Sequence, residues 1–375
     1  MTGTPLRLVV LGLSLSSSWG NGHATTYRAL LKAFARRGHA ILFLEREVPW
    51  YAEHRDLTAP DYCDLAFYRD LADLERFRDR IAAADAVIVG SYVPEGAAVG
   101  RRVRAWTRSV CAFYDIDTPV TLAKLEARDH GYLTPDLIRA YDLYLSFTGG
   151  PILRRIEARY GSPAARQLYC SVDPEAYPAL ARDARWDLSY LGTYSPDRQP
   201  TLTRLLVDAA RQAPHLRFVV AGPQYPDAVD WPRNVERIEH VAPQDHPAFY
   251  AASRYTLNVT RADMIRAGYS PSVRLFEAAA CGTPILTDRW DGLETVLAPG
   301  REILPVETAG EVLGLLEGQP ETERRRLADA ARARVLARHS AGHRAAELEA
   351  HLREAAGRRG NIAARPVLGE MSPMV

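Results

Sequence analysis

Short, almost wholly apolar runs recur along this chain with amphipathic stretches between them, and that rhythm constrains the fold more than any other feature. The runs "LRLVVLGL" (6–13), "AILFLE" (40–45), "DAVIVG" (85–90), "SVCAFYD" (109–115) and "DLYLSF" (142–147) are too short and too uniformly apolar for surface helices. They read as strands buried on both faces. Segments 24–37, 70–83 and 96–107 carry apolar residues at helical spacing. "TTYRALLKAFARRG" ends in basic residues and Gly38, as a helix C-terminus does. Such alternation predicts a parallel sheet with helices on both faces.

A second series repeats the pattern: "WDLSYLG" (186–192), "LRFVVAG" (216–222), "YTLNVT" (255–260) and "PILTD" (284–288), with helical patterns near 200–212, 244–252, 271–281 and 308–317. Between the series, "SVDPEAYPALARDAR" (171–185) holds two prolines and no sustained period, and reads as a linker. The chain has 375 residues, enough for two cores of about 150 each. The expected division is a first domain over 1–172, a second over 186–338, a final helix over 339–356 and a flexible tail over 357–375.

Composition narrows the function classes. The formal net charge is +1, so no global field recruits nucleic acid or an anionic membrane. Positive charge is nearly all Arg, with Lys32 and Lys124 the only lysines. The four cysteines, Cys63, Cys111, Cys170 and Cys281, form no CxxC or zinc-finger spacing and point to buried thiols in a reducing, cytoplasmic compartment. No segment approaches the roughly 20 apolar residues that span a bilayer, so no integral membrane association is expected.

Two facing α/β domains place chemistry in the loops after their strands. "SLSSSWGNGHATTYRALL" puts Gly20 and Gly22 in a turn leading into a helix N-terminus, which favours an anion. His23 lies at the mouth of the expected cleft, either as a functional group or as a helix residue bonded to a carbonyl. The turn is not G-x-G-x-x-G, although Glu45 closes the second run, which counts against a dinucleotide cofactor. "SVCAFYDIDTPVTLAKL" ends a strand with Asp115 and Asp117, a D-x-D that suits a metal or, through one acid, a helix cap. One acid is expected to cap and the other to face the cleft.

In the second half, "YLGTYSPDRQPTLTRLL" offers Gly192, Thr193 and Arg198, the last as a clamp for two phosphate oxygens. Arg261 and Arg266 precede a helix whose first N–H groups, at Ser272 and Val273, would meet a phosphate. Inside that helix, in "GYSPSVRLFEAAACGTP" (268–284), stands Glu277, one carboxylate in an otherwise small and apolar stretch. Burying it alone costs several kcal/mol (roughly), so a partner is required. The expected partner is a ribose diol; the alternative is an ion pair with Arg274 or Arg289.

"GYSPSVRLFEAAACGTPILTDRWDGLETVLAPGREIL", with "LNVTRADM" before it and "RHSAGHRAAEL" after it, resembles the CgeB-like (spore maturation type) glycosyltransferases of the wider GT-B class. "WGNGHATTYRALLKAFARRGH" and "FYDIDTPVTL" match the first half of that group. The resemblance implies two Rossmann-like domains, a nucleotide-sugar donor held mainly by the second, an acceptor on the first, and a final helix crossing back to the first. It implies that Glu277 binds ribose, while Tyr269 stands where retaining relatives carry another Glu. Gly22-His23 is similar to the Gly-His of the inverting peptidoglycan GlcNAc-transferase, which makes His23 the general base.

The expected function is metal-independent glycosyl transfer from a nucleoside diphosphate sugar, with UDP or dTDP as nucleotide, to a hydroxyl of an unknown acceptor. No cofactor and no nucleic acid partner is expected. A catalytically silent sugar-nucleotide-binding protein is the first alternative, and an NAD-dependent oxidoreductase the second.

Overall fold

All five residues of Ala86–Gly90 and all six of Val110–Asp115 are buried, which requires a sheet covered on both faces. The computed structural model describes residues 4–20 and 22–363, the side chains as far as 360. Its first sheet comprises β1 (Arg7–Gly12), β2 (Ala40–Arg46), β3 (Asp64–Tyr68), β4 (Ala86–Gly90), β5 (Val110–Asp115), β6 (Leu143–Ser146) and β7 (Ala165–Gln167). They lie in the order β3-β2-β1-β4-β5-β6-β7, every neighbouring pair parallel. Side chains alternate across it: Leu8 and Val10 join one apolar cluster, Val9 and Leu11 another.

The second sheet comprises β8 (Trp186–Leu191), β9 (Phe218–Ala221), β10 (Val235–Ile238), β11 (Ser253–Asn258), β12 (Ile285–Thr287) and β13 (Leu304–Pro305). Its order is β10-β9-β8-β11-β12-β13, again parallel throughout. The inner face of each sheet contributes to one apolar cluster, so Leu8 and Ile285 belong to the same core.

Two passages join the halves, and they pair with each other. The Val172 N–H donates to the His339 carbonyl at 3.4 Å, and the Ala341 N–H to the Val172 carbonyl at 2.8 Å. After them the helix Ala341–Ala363 packs on the helix Gly22–Ala35, burying Ala345, Leu348, Leu352 and Ala355 at helical spacing. Arg37 donates to Glu349 at 2.8 Å across that contact. The helix runs past residue 356, so 357–363 extend it rather than forming a loose tail, and 364–375 lie outside the described residues. Among the described residues no helix is long and apolar enough to cross a membrane.

Candidate functional site

Each sheet changes direction once, between β1 and β4 and between β8 and β11. Connections leave to opposite sides there, and a crevice opens beyond the carboxyl ends of the strands. The segments after these four strands carry Gly20 and, in the first turn of the helix Gly22–Ala35, Gly22 and His23, then Tyr92, then Gly192, Thr193 and Arg198, then Arg261. All of them line two adjoining cavities of about 300 and 430 Å³. Gly20, Gly22, Arg198, Ser272 and Val273 border both. A larger hollow of about 570 Å³ lies at the opposite, amino edge of the first sheet, away from both switch points.

Positive charge gathers in the smaller cavity. Arg198 donates from Nη2 to the Thr193 carbonyl at 2.6 Å, while its Nε is buried without a partner. Burial lowers its pKa, and the neighbouring charges of Arg274 and Arg261 lower it further. Arg274 is buried; Nε donates to the Leu191 carbonyl at 2.6 Å and Nη1 to Asn258 Oδ1 at 2.9 Å, with the guanidinium 4.9 Å from the Tyr190 ring centroid. Among the described residues neither arginine forms an ion pair. The helix Val273–Ala280 starts beside them, and its cap residue Ser272 makes no side-chain cap bond. Its first N–H groups point positive charge at the same space.

Glycine permits this crowding. A Cβ at Gly192 would stand 2.7 Å from Arg274 Nη2, and one at Gly222 only 2.1 Å from the Gly192 carbonyl oxygen. The two loops meet backbone to backbone.

Glu277 also lines this cavity, but it already has protein partners that sequence did not reveal. Tyr177 donates to its Oε1 at 2.9 Å, Tyr250 to its Oε2 at 3.4 Å, and His246 Nδ1 lies 3.7 Å from Oε2. Burial opposes its charge, yet His246, Tyr177 and Arg274 outweigh that and hold its pKa below the ordinary value. The alternative of an ion pair with Arg274 or Arg289 is corrected: Arg274 is engaged as described, and Arg289 donates to Glu307 at 2.6 Å.

His23 lines the larger cavity, and its Nδ1 is buried without a partner, which removes the carbonyl-bonded alternative for that nitrogen. Burial lowers its pKa from 6.5 to about 4, so the ring is neutral at pH 7. Tyr92 packs edge-on against it, 5.5 Å between centroids, and donates from Oη to Asp117 Oδ2 at 3.0 Å. Arg261 Nη1 reaches the same oxygen at 3.7 Å from the other domain. Burial raises the pKa of Asp117 against the pull of Arg261. Asp117 holds the cap position of the helix Thr118–Glu126 without making a cap bond, and lines the cavity.

Asp115 does not reach the cleft, so Asp117 and not Asp115 is the acid that faces it. Asp115 is fully buried, accepts from Tyr144 Oη at 2.5 Å and Thr121 Oγ1 at 2.7 Å, and burial raises its pKa to about 6. The chain turns between the two acids, sending one inward and one outward. Arg266 is likewise outside the site, exposed and paired with Asp263. Glu45 ties down the loop after β1, accepting from the N–H groups of Leu15 at 2.7 Å and Ser16 at 2.9 Å.

Comparison with solved structures places this geometry. Sucrose-phosphate synthase from Thermosynechococcus elongatus is similar over 96% of this chain and 100% of its own, with TM-score 0.69 and 15% identity. Anabaena HepE in complex with UDP and glucose covers 93% and 100%, with TM-score 0.68 and 13% identity. Phage T4 β-glucosyltransferase covers 94% and 99%, with TM-score 0.60 and 12% identity. The chain has the GT-B fold. Residues 198–350 match the family described as glycosyl transferase-like, so the second domain is glycosyltransferase-like in sequence as well. No curated protein matches the chain.

Proposed function

We propose that the protein is a metal-independent glycosyltransferase that moves a sugar from a nucleoside diphosphate sugar, with UDP or dTDP as nucleotide, to an acceptor hydroxyl. One observation carries this reading. Arg198 and Arg274 line the cavity at a helix N-terminus in the cleft, and among the described residues neither forms an ion pair. Buried positive charge left unpaired costs several kcal/mol (roughly), and a diphosphate would offset it. HepE, of the same fold, binds UDP, which supports the choice of ligand.

In the reaction the acceptor oxygen forms a bond to the anomeric carbon as the bond from that carbon to the diphosphate breaks. The acceptor proton passes to neutral His23, which lines a cavity shared by both domains. The departing diphosphate keeps the electron pair, and its charge is met by Arg198, Arg274 and the N–H groups at Val273. Glu277 holds the ribose, and Asp117 orients Arg261 and Tyr92 beside the reacting centre. The finer assignments, a hexosyl group and the CgeB-like subtype, belong to this proposal. So does a cytoplasmic location, which the four free thiols support.

Calorimetric titration with UDP and uridine tests it. UDP should bind more tightly than uridine, and Arg274→Met should erase most of the difference. Equal binding of the two by the unaltered protein would contradict the proposal.

A further inference from the structure

The mouth of the cleft carries a row of aromatic rings. His240 of the second domain lines the smaller cavity and packs 4.7 Å from Trp19. Trp19 stacks on His54 at 4.8 Å, and His54 lies 5.2 Å from Trp50. The row therefore climbs outward from the anion-binding cavity and ends on a side chain that is 54% exposed, the most exposed large apolar group among the described residues. Trp50 sits in the short helix Pro49–Ala52 after β2, and its neighbour Tyr51 lines the cavity of His23 and Asp117. The indole, backed by further rings, therefore leaves aromatic surface open to solvent at this edge.

The surroundings identify the chemistry of the occupant. Arg46 pairs with Glu95, Arg55 with Glu47 and Arg28 with Asp56, each pair 2.5–2.6 Å apart. The basic groups near the row are thus neutralised, and exposed Glu53 adds a negative charge beside Trp50. An anionic partner is disfavoured there. A lipid chain needs a continuous apolar groove rather than one ring face. A neutral sugar ring fits: its C–H face is positive relative to the negative face of an indole, and its hydroxyls find the polar side chains of Tyr51 and Glu53 nearby.

We propose that the acceptor is a neutral glycan seated on Trp50, with its accepting hydroxyl directed into the cavity of His23. The glycan's role as acceptor rests on the glycosyl-transfer reading; its binding does not. An array of neutral and acidic oligosaccharides, probed with the full chain, tests the inference alongside single-stranded DNA, anionic phospholipid vesicles and simple phenols. At least one neutral oligosaccharide should bind. Trp50→Ala should weaken that binding about tenfold, Trp50→Phe less, and neither should change UDP affinity. Absence of neutral-glycan binding, undiminished binding by Trp50→Ala, or retention of DNA, vesicles or phenols in place of glycans would overturn it. Loss of UDP binding by the unaltered protein would instead sink the glycosyl-transfer reading.

Discussion

The hydroxyl of Tyr177, in the segment joining the two sheets, donates a 2.9 Å hydrogen bond to Oε1 of Glu277 in the second domain. The linker therefore reaches the wall of the proposed donor cavity. One carboxylate both anchors the passage between domains and lines that cavity.

Glu277→Gln keeps the size and removes the charge, so the fold should survive while UDP affinity drops. Losing a charged acceptor costs about 1.5–3 kcal/mol, or roughly 10- to 150-fold in the constant. Calorimetry reads that loss. Because its folded pKa is depressed below 4.5, ionised Glu277 contributes stability that is present above that value and lost as pH falls. The variant should melt with less dependence on acid pH. Normal UDP binding with earlier melting would confine Glu277 to the linker.

His23→Ala should cut turnover by about 10²–10⁴ and leave UDP affinity nearly unchanged. Burial lowers the His23 pKa to about 4, so kcat/KM of the unaltered enzyme should be flat from mildly acidic to neutral pH and fall only below roughly that value. The variant should lack this limb. An inflection near 6.5, or activity per folded molecule preserved in the variant, would remove His23 as the base.

Much of this architecture is legible in the sequence. "LRLVVLGL" and "SVCAFYD" became β1 and β5 because a buried parallel strand leaves no polar alternation to misread. The edge strands β3, β7, β10 and β13 escaped, being short and largely half-exposed. Glycine turns and the helix start at Ser272 marked the site, because their signals are local. Tyr92 and Arg274 did not stand out. Tyr92 matters because β4 borders a switch point, and strand order is a tertiary fact that no local pattern carries. Arg274 resembled any other arginine in an arginine-rich chain until burial set it apart. The lowered pKa of His23 was equally invisible, since desolvation has no local signature.

Arg198→Ala should weaken UDP by about 10- to 150-fold, on the scale of a lost charged hydrogen bond, and leave uridine binding unchanged. Parallel loss for both ligands would place Arg198 outside the diphosphate site.

Asp115 supplies a stability test away from the cleft. Its folded pKa is raised to about 6, so the stability of its neutral form is full below 3.8 and lost as pH rises through about 6. The rise from 3.8 to about 6 corresponds to on the order of 3 kcal/mol. Asp115→Asn should remove most of that pH dependence from the melting curve without altering UDP affinity. A carboxyl titration of Asp115 near 3.8, followed by carbon NMR, would contradict its burial.

The most direct test of the central claim is a thermal melt with UDP in the presence of a chelator. Arg198, Arg274 and the N–H groups at Val273 supply the positive charge in this account, so no added metal is required. At a hundred times its dissociation constant UDP should stabilise the protein by about 2.7 kcal/mol, raising the melting temperature equally with and without magnesium or manganese. No shift with UDP, or a shift that appears only when the metal is restored, would contradict it.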